Sequence, residues 1–141
     1  MRKITLTILV LAALALGLVS CSDKSSEDVG PNGFNAVGTW VCVSSTQGGV
    51  TTPIPSGSHR LVFKPDMTWE RFYGEELASP GYGTWDYADS KDHYHSFNYS
   101  SSGIALLTGW GYGSPKYLPY DPATKELVLD VSFMVERFKK L

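Results

Sequence analysis

The feature that most constrains this chain is its pattern after residue 35: short alternating or aromatic-rich runs separated by turn residues, with no amphipathic helix of useful length. The clearest hairpin joins 60–64 to 67–73 through Pro65-Asp66, because proline fixes φ early in the turn and an aspartate can bond the backbone two residues on. The other predicted strands are 37–45, 82–87, 93–99, 104–112, 116–120, 126–131 and 133–139. Eight or nine short-connected strands predict an all-β fold, a small antiparallel up-and-down barrel.

The inside of such a barrel is narrow, since about eight strands leave room only for side chains or one small ligand. We therefore expect a filled interior. Its predicted large residues are Trp40, Leu61, Phe63, Trp69, Trp85, Leu127, Leu129 and Phe133. Cys42 lies in an apolar run and is predicted to be a small buried hydrophobe, with a reactive thiol as the alternative. The longer connections, 47–58 and 74–81, are predicted loops, where binding residues are often found.

The first twenty residues have a different composition. Arg2 and Lys3 precede the almost wholly apolar segment 4–19. As a helix that segment would span roughly 24 Å, which is less than the ~30 Å hydrocarbon core of a bilayer. Residues 1–20 are therefore predicted to be a signal peptide and not a transmembrane helix.

The end of this segment, Leu18-Val19-Ser20-Cys21, resembles the lipobox of bacterial lipoproteins, with leucine three residues before the cysteine and a small residue directly before it. The resemblance implies that Cys21 receives a diacylglycerol, that the chain is cut before it and that the new amino group is acylated. Acyl chains such as palmitate would then anchor the protein, because two or more chains bind a membrane durably. The alternative is an ordinary secretory signal followed by a chance cysteine.

Residues 21–35 are polar, contain Gly30-Pro31-Asn32-Gly33 and predict a flexible tether. Ser22 follows the cysteine where, by the same resemblance, inner-membrane lipoproteins favour aspartate. An outer-membrane lipoprotein of the cell envelope is therefore expected, facing the periplasm or the cell surface. The net charge of −2 with 43% apolar residues excludes a disordered chain and a strongly basic nucleic-acid binder.

Residues 36–141 resemble the small lipocalin-like domains of bacterial lipoproteins. The likeness is carried by Gly38-Thr39-Trp40, by the hairpin residues 61–68, by Gly83-Thr84-Trp85 and by Arg137 in the closing strand. It implies that Trp40 packs against Arg137 as a cation–π pair that closes the barrel. Met67 replaces the usual turn glycine and no helix follows the last strand, so a capacious ligand cavity is not expected.

The aromatic, glycine-rich segment Gly109-Trp110-Gly111-Tyr112-Gly113 is the candidate binding feature. On a strand its glycines share one face, while Trp110 and Tyr112 share the other. Together with Tyr82, Tyr117 and Tyr120 they would form a platform for a sugar or an apolar ligand. The alternative is core packing against a closely apposed strand.

Catalytic and metal-binding patterns are weak. His93 and His95 could reach one ion with His59 or Asp92 as a third ligand, but two surface histidines beside a polar turn are favoured. The sequence contains no nucleophile elbow, no His-Glu-x-x-His and no Cys-x-x-Cys. We therefore predict neither a cofactor nor a metal site, and we predict that the protein is not an enzyme.

These observations predict a membrane-anchored envelope lipoprotein whose lipocalin-like domain binds a small apolar or glycan ligand or assists an envelope complex. The alternative is a structural or protein-interaction module with a filled barrel core and no small ligand. A cavity lined by aromatic residues would favour the first, and a solid barrel with exposed aromatic residues would favour the second.

Overall fold

The computed structural model describes residues 33–88, 102–111 and 115–141. All elements of secondary structure within these ranges are β-strands, as the sequence predicts. The nine strands are β1 (Gly38–Gln47), β2 (Val50–Pro53), β3 (His59–Phe63), β4 (Thr68–Tyr73), β5 (Glu76–Ala88), β6 (Gly103–Leu106), β7 (Lys116–Asp121), β8 (Glu126–Val131) and β9 (Met134–Lys140).

The sheet closes on itself. Each of β3 to β8 pairs antiparallel with the next strand along the chain, and β1 pairs with both β3 and β9. These eight strands form an antiparallel barrel, while β2 is a ninth strand that pairs with the C-terminal half of β1. The predicted barrel is therefore confirmed, and its up-and-down order is that of a lipocalin-like fold.

The predicted hairpin around Pro65-Asp66 is confirmed, with β3 and β4 close to their predicted limits. The Asp66 carboxylate accepts hydrogen bonds from the Thr68 amide at 3.0 Å and the Thr68 hydroxyl at 2.6 Å. These bonds to Thr68 lower the pKa of the Asp66 carboxyl. Met67 adopts a φ of 64° in this turn, which is the conformation that a glycine would take without strain.

Three predicted elements differ clearly from the structure, and a fourth is untested. Residues 50–53, within a predicted loop, form β2. All four are exposed, so the strand lacks the alternation of buried and exposed residues that would predict it from sequence. Strand β5 begins at Glu76 and takes in most of the predicted loop 74–81. Strand β6 ends at Leu106, six residues early, before Gly109 and Gly111 adopt φ values of 85° and 97° that a strand does not use. The predicted strand 93–99 lies outside the described residues.

Large side chains fill the barrel as expected, with one exception. Seven of the eight predicted interior residues are buried, and Phe138 joins them. The three core tryptophans each donate their indole N–H to a carbonyl: Trp40 to Ala36 at 2.8 Å, Trp69 to Thr108 at 3.0 Å and Trp85 to Lys64 at 3.3 Å. Phe133 was predicted to be buried, but it is 74% exposed because it lies in the β8–β9 turn and not in a strand.

The two ends of the barrel interior have different chemistry. At one, here called the aromatic end, the buried Phe34 stacks on Tyr120 with ring centroids 4.1 Å apart and meets Trp40 edge-on. At the other, here called the polar end, the inward residues include Ser45, His59 and Glu136, all of which are buried. Strand β1 runs from the aromatic end, at Trp40, to the polar end, at Ser45.

Candidate functional site

The polar end brings together three buried side chains from three strands that pair with one another. Cys42 lies on β1, His59 on β3 and Glu136 on β9, and β1 is hydrogen-bonded to both of the other strands. Alternation along β3 turns His59 inward with Leu61 and Phe63, and alternation along β9 turns Glu136 inward with Phe138. The donor atoms of the three side chains lie within 4.8 Å of one another.

A chain of hydrogen bonds fixes the protonation of the histidine. Arg71 donates its Nε–H to His59 Nε2 at 3.1 Å, and an arginine can only donate. His59 Nε2 therefore carries a lone pair, and the ring proton is on Nδ1, which donates to Glu136 Oε1 at 3.1 Å. Glu136 Oε2 also lies 3.0 Å from Nδ1, at ion-pair distance, but it receives no hydrogen bond within the described residues.

Aromatic rings cover the outer side of Arg71. Its guanidinium carbon lies 4.6 Å from the centre of the Trp110 ring and 4.8 Å from that of Tyr73. Trp110 is half-buried, with its ring centroid 6.0 Å from that of Trp69. The segment that carries Trp110 fits because Gly109 has no side chain, since a Cβ there would clash with the Tyr82 carbonyl. His59, which accepts the hydrogen bond from Arg71, is itself buried.

The cluster has the composition of a cysteine–histidine–acid catalytic set, but its electrostatics oppose nucleophilic chemistry. Burial, together with the negative charge of Glu136, raises the pKa of the Cys42 thiol to about 11. A nucleophilic cysteine needs the opposite shift and access for a substrate. Cys42 is fully buried, and its thiol lies 3.5 Å from the Ser44 carbonyl. This position agrees with the prediction that Cys42 is a small buried residue.

One groove opens on the outer wall of the barrel. It lies on β4 and β5 and has a volume of about 520 Å³. Thr68 pairs with Thr84 and Glu70 with Tyr82 across these strands, with their side chains on the outer face because the neighbouring Trp69 and Trp85 point inward. The lining residues of this outer groove are Thr68, Trp69, Glu70, Leu77, Tyr82, Gly83 and Thr84.

The outer groove combines apolar and polar groups. Tyr82 is 67% exposed and Leu77 is 48% exposed, so both present apolar surface to solvent. Glu70 accepts a hydrogen bond from Lys64 at 2.8 Å, and the Thr84 and Thr108 hydroxyls lie 3.0 Å apart. An exposed ring beside a carboxylate and hydroxyls can contact both the apolar face and the hydroxyl rim of a sugar.

The second cleft lies at the aromatic end and has a volume of about 380 Å³. Phe34, Trp40 and Tyr120 form its apolar wall. Lys125, Lys139 and Lys140 also line it, and Lys140 donates to the Asn35 carbonyl at 3.1 Å. The charged rim distinguishes this cleft from a pocket for a wholly apolar ligand.

The predicted aromatic platform does not form as one surface. Trp110 covers Arg71 at the polar end, Tyr120 packs at the aromatic end, and Tyr82 lies in the outer groove. Tyr117 lies on β7, paired with Ala105. The residues are separated because they lie on different strands and connections of a closed barrel, with Tyr120 packed inside and Tyr82 exposed outside. Tyr112, Cys21 and the His93/His95 pair lie outside the described residues.

The predicted pairing of Trp40 with Arg137 is wrong. The register sets Trp40 opposite Lys140 and Arg137 opposite Ser44. Arg137 follows the inward Glu136 and precedes the inward Phe138, so its side chain points outward, where it binds Glu126 at 3.1 Å and Asp121 at 3.6 Å. An outward residue cannot contact an indole inside the barrel. The basic residue whose register matches Trp40 is Lys140.

The sequence interpretation considered His59 as a third ligand for His93 and His95, or as a histidine that would indicate an enzyme if it met a carboxylate in a pocket. It named neither Glu136 nor Arg71 for this cluster. One signal could have found its members. Both His59 and Glu136 are polar residues at positions that alternate with large apolar ones, which is unusual for the inside of a barrel. Their meeting depends on barrel closure between β1 and β9, across 77 residues of sequence.

Comparisons with known proteins gave no match: no family model, no curated protein and no solved structure is similar to this chain at the significance required. Of the residues that the structure describes, none belongs to a helix long and apolar enough to cross a membrane.

Proposed function

We propose that this protein is a lipid-anchored, lipocalin-like barrel of the bacterial outer membrane that binds a small glycan on its outer wall, not an apolar ligand inside. The supporting observation is the contrast between a filled interior and an open groove of about 520 Å³ at Tyr82. That volume is in the range of small-molecule sites. The residues that would contact the sugar are Tyr82 through its ring, Glu70 as an acceptor, and Thr68 and Thr84 through their hydroxyls.

An apolar ligand fits the interior poorly. Trp40, Trp69, Trp85, Phe63 and Phe138 are all fully buried there, and side chains of this size leave no channel in an eight-stranded barrel. The protein would therefore act by binding and not by catalysis, in keeping with the protonated state of its buried thiol.

The glycan site can be tested with the full chain carrying Cys21→Ser, which remains without acyl groups. The probes are an array of bacterial-envelope and host oligosaccharides, followed by calorimetry with any sugar that binds. Tyr82→Ala should weaken binding about tenfold, since one aromatic contact contributes about 1.4 kcal/mol. Phe133→Ala is the matched control, because Phe133 is an exposed aromatic residue in the distant β8–β9 turn.

Two outcomes would refute the glycan site: no oligosaccharide binds, or Phe133→Ala weakens binding as much as Tyr82→Ala. The first outcome favours the second candidate, a protein-interaction module, which the filled core also supports. A photo-crosslinking residue at position 82 in the native envelope would then join the chain to a protein.

The anchor is supported by the lipobox residues alone and needs its own experiment. Cells expressing the wild-type chain or Cys21→Ala are labelled with a palmitate analogue and fractionated. The wild type should carry the label and sediment with outer membranes, and Cys21→Ala should lose both properties. A labelled, membrane-bound Cys21→Ala protein would disprove the assignment.

A further inference from the structure

The buried cluster at the polar end has a donor set that the glycan site does not use. Cys42, His59 and Glu136 offer a sulfur, a nitrogen and a carboxylate oxygen within 4.8 Å of one another. All three are buried. Cys42 lies on β1, and His59 and Glu136 lie on β3 and β9, the two strands that are hydrogen-bonded to β1. Donors on adjacent strands of a closed sheet are held in place more firmly than donors on loops.

The cluster also contains an unused acceptor. Glu136 Oε2 is buried and receives no hydrogen bond within the described residues, although buried polar atoms nearly always have a partner. The oxygen faces His59, whose Nδ1 is 3.0 Å away. A buried carboxylate oxygen with a free lone pair is the group that a cation would satisfy.

The chemistry of the three donors selects among cations. Zinc binds thiolate, imidazole and carboxylate together, with bonds of about 2.0–2.3 Å in a tetrahedral arrangement. Such bonds place ligand atoms roughly 3.3–3.8 Å apart. His59 Nδ1 and the Glu136 carboxylate are already 3.0 Å apart. The other donor pairs, which lie within 4.8 Å, need to approach by about 1 Å. Calcium and magnesium prefer sets made only of oxygen.

We infer that Cys42, His59 and Glu136 form a zinc site inside the barrel, with a water molecule as the fourth ligand. The thiol releases its proton to solvent and binds as thiolate. His59 binds through Nδ1, and its proton moves to Nε2. The thiolate and the Glu136 carboxylate together neutralise the two positive charges of the ion, so the filled site is neutral.

Arg71 opposes this site in the metal-free protein. Its Nε–H donates to His59 Nε2, which must carry the proton once zinc holds Nδ1. Arg71 therefore has to turn away, towards the Trp110 and Tyr73 rings that already contact its guanidinium. Removing Arg71 should consequently strengthen zinc binding, whereas a purely structural network would gain nothing from its loss.

The reference protein for the test is the full chain carrying Cys21→Ser, His93→Ala and His95→Ala, in which Cys42 is the only thiol and the other histidines are absent. It is titrated with cobalt as a spectroscopic probe and with zinc in competition. We expect one metal per chain and a thiolate-to-cobalt absorption band. In this background Cys42→Ser should abolish the cobalt band and weaken zinc binding about 100-fold. Glu136→Gln should weaken zinc binding ~10-fold, and Arg71→Met should strengthen it.

Folding of each variant is checked by its melting curve in a chelator, and zinc should raise the melting temperature of the reference protein and of Arg71→Met. A folded reference protein that shows no cobalt band would overturn the site. So would zinc binding that survives Cys42→Ser unchanged. Because no residue of the outer groove takes part, failure here leaves the glycan proposal standing, and the converse also holds.

Discussion

The two ends of the barrel use the same strands but fill the interior differently. At the aromatic end Phe34, Trp40 and Tyr120 meet ring against ring, and the Trp40 indole N–H is satisfied by a single carbonyl. At the polar end Glu136 and His59 are joined by hydrogen bonds that continue to Arg71. Apolar packing tolerates small errors in position, but a buried polar network is stable only when its members are paired.

The difference indicates a division of roles. The aromatic end lies next to residue 33, where the described chain begins, and it closes the barrel by burial of large rings. The polar end buries ionisable groups at positions where apolar residues would give at least the same stability, because buried ion pairs add little net stability. Residues kept at such a cost are candidates for function.

The largest effect is expected at the aromatic end. Trp40→Ala removes a fully buried indole and should lower the free energy of unfolding by about 3–5 kcal/mol. Trp110→Ala is the control at the polar end. Because Trp110 is half-buried, its loss should cost clearly less in urea denaturation. Equal losses for the two tryptophans would remove the distinction between a packed end and a polar end.

A smaller effect should follow at the polar end when the hydrogen-bond acceptor is removed. Glu136→Ala leaves the buried Nδ1–H of His59 without its partner and should cost about 1–3 kcal/mol, measured in a chelator at neutral pH. Glu136→Gln keeps an acceptor oxygen at the same distance and should cost less. If both variants lose the same stability, the contribution of Glu136 is packing volume and not its hydrogen bond.

The sequence predicted the strand that carries Trp40 and the β3–β4 turn well because the signals for both are local. Gly38-Thr39-Trp40 marks a strand whose third residue points inward, and Pro65-Asp66 marks the turn that joins β3 to β4. Both predictions depend on residues within a few positions of one another. Strand β2 was missed because it is an exposed edge, whose pairing with β1 has no hydrophobic pattern.

The polar end could not be predicted for the opposite reason. Its residues meet only through the register of β1 against β3 and β9, and the register of β1 against β9 shifts between Cys42 and Ser44. An irregularity of one residue changes which side chains face inward beyond it. The wrong pairing of Trp40 with Arg137 has the same origin, because a shift of one position along β9 exchanges an inward residue for an outward one.

The smallest expected effect concerns the pH dependence of stability and comes from Cys42 alone. Burial holds its pKa at about 11 in the folded protein, against 9.0 for the exposed thiol. The unfolded chain therefore loses the proton first as the pH rises, and it is stabilised relative to the folded protein. Stability contributed by the protonated thiol is intact below pH 9.0 and falls progressively as the pH rises to about 11.

Tyrosines and lysines also titrate in this window, so the informative quantity is the difference between two proteins. In metal-free urea denaturation the Cys21→Ser chain should lose about 1 kcal/mol more between about pH 7 and pH 10 than the same chain with Cys42→Ala. Parallel pH profiles would mean that the thiol ionises as readily inside the barrel as in water. Cys42 would then be accessible to solvent, and its burial in the barrel would be disproved.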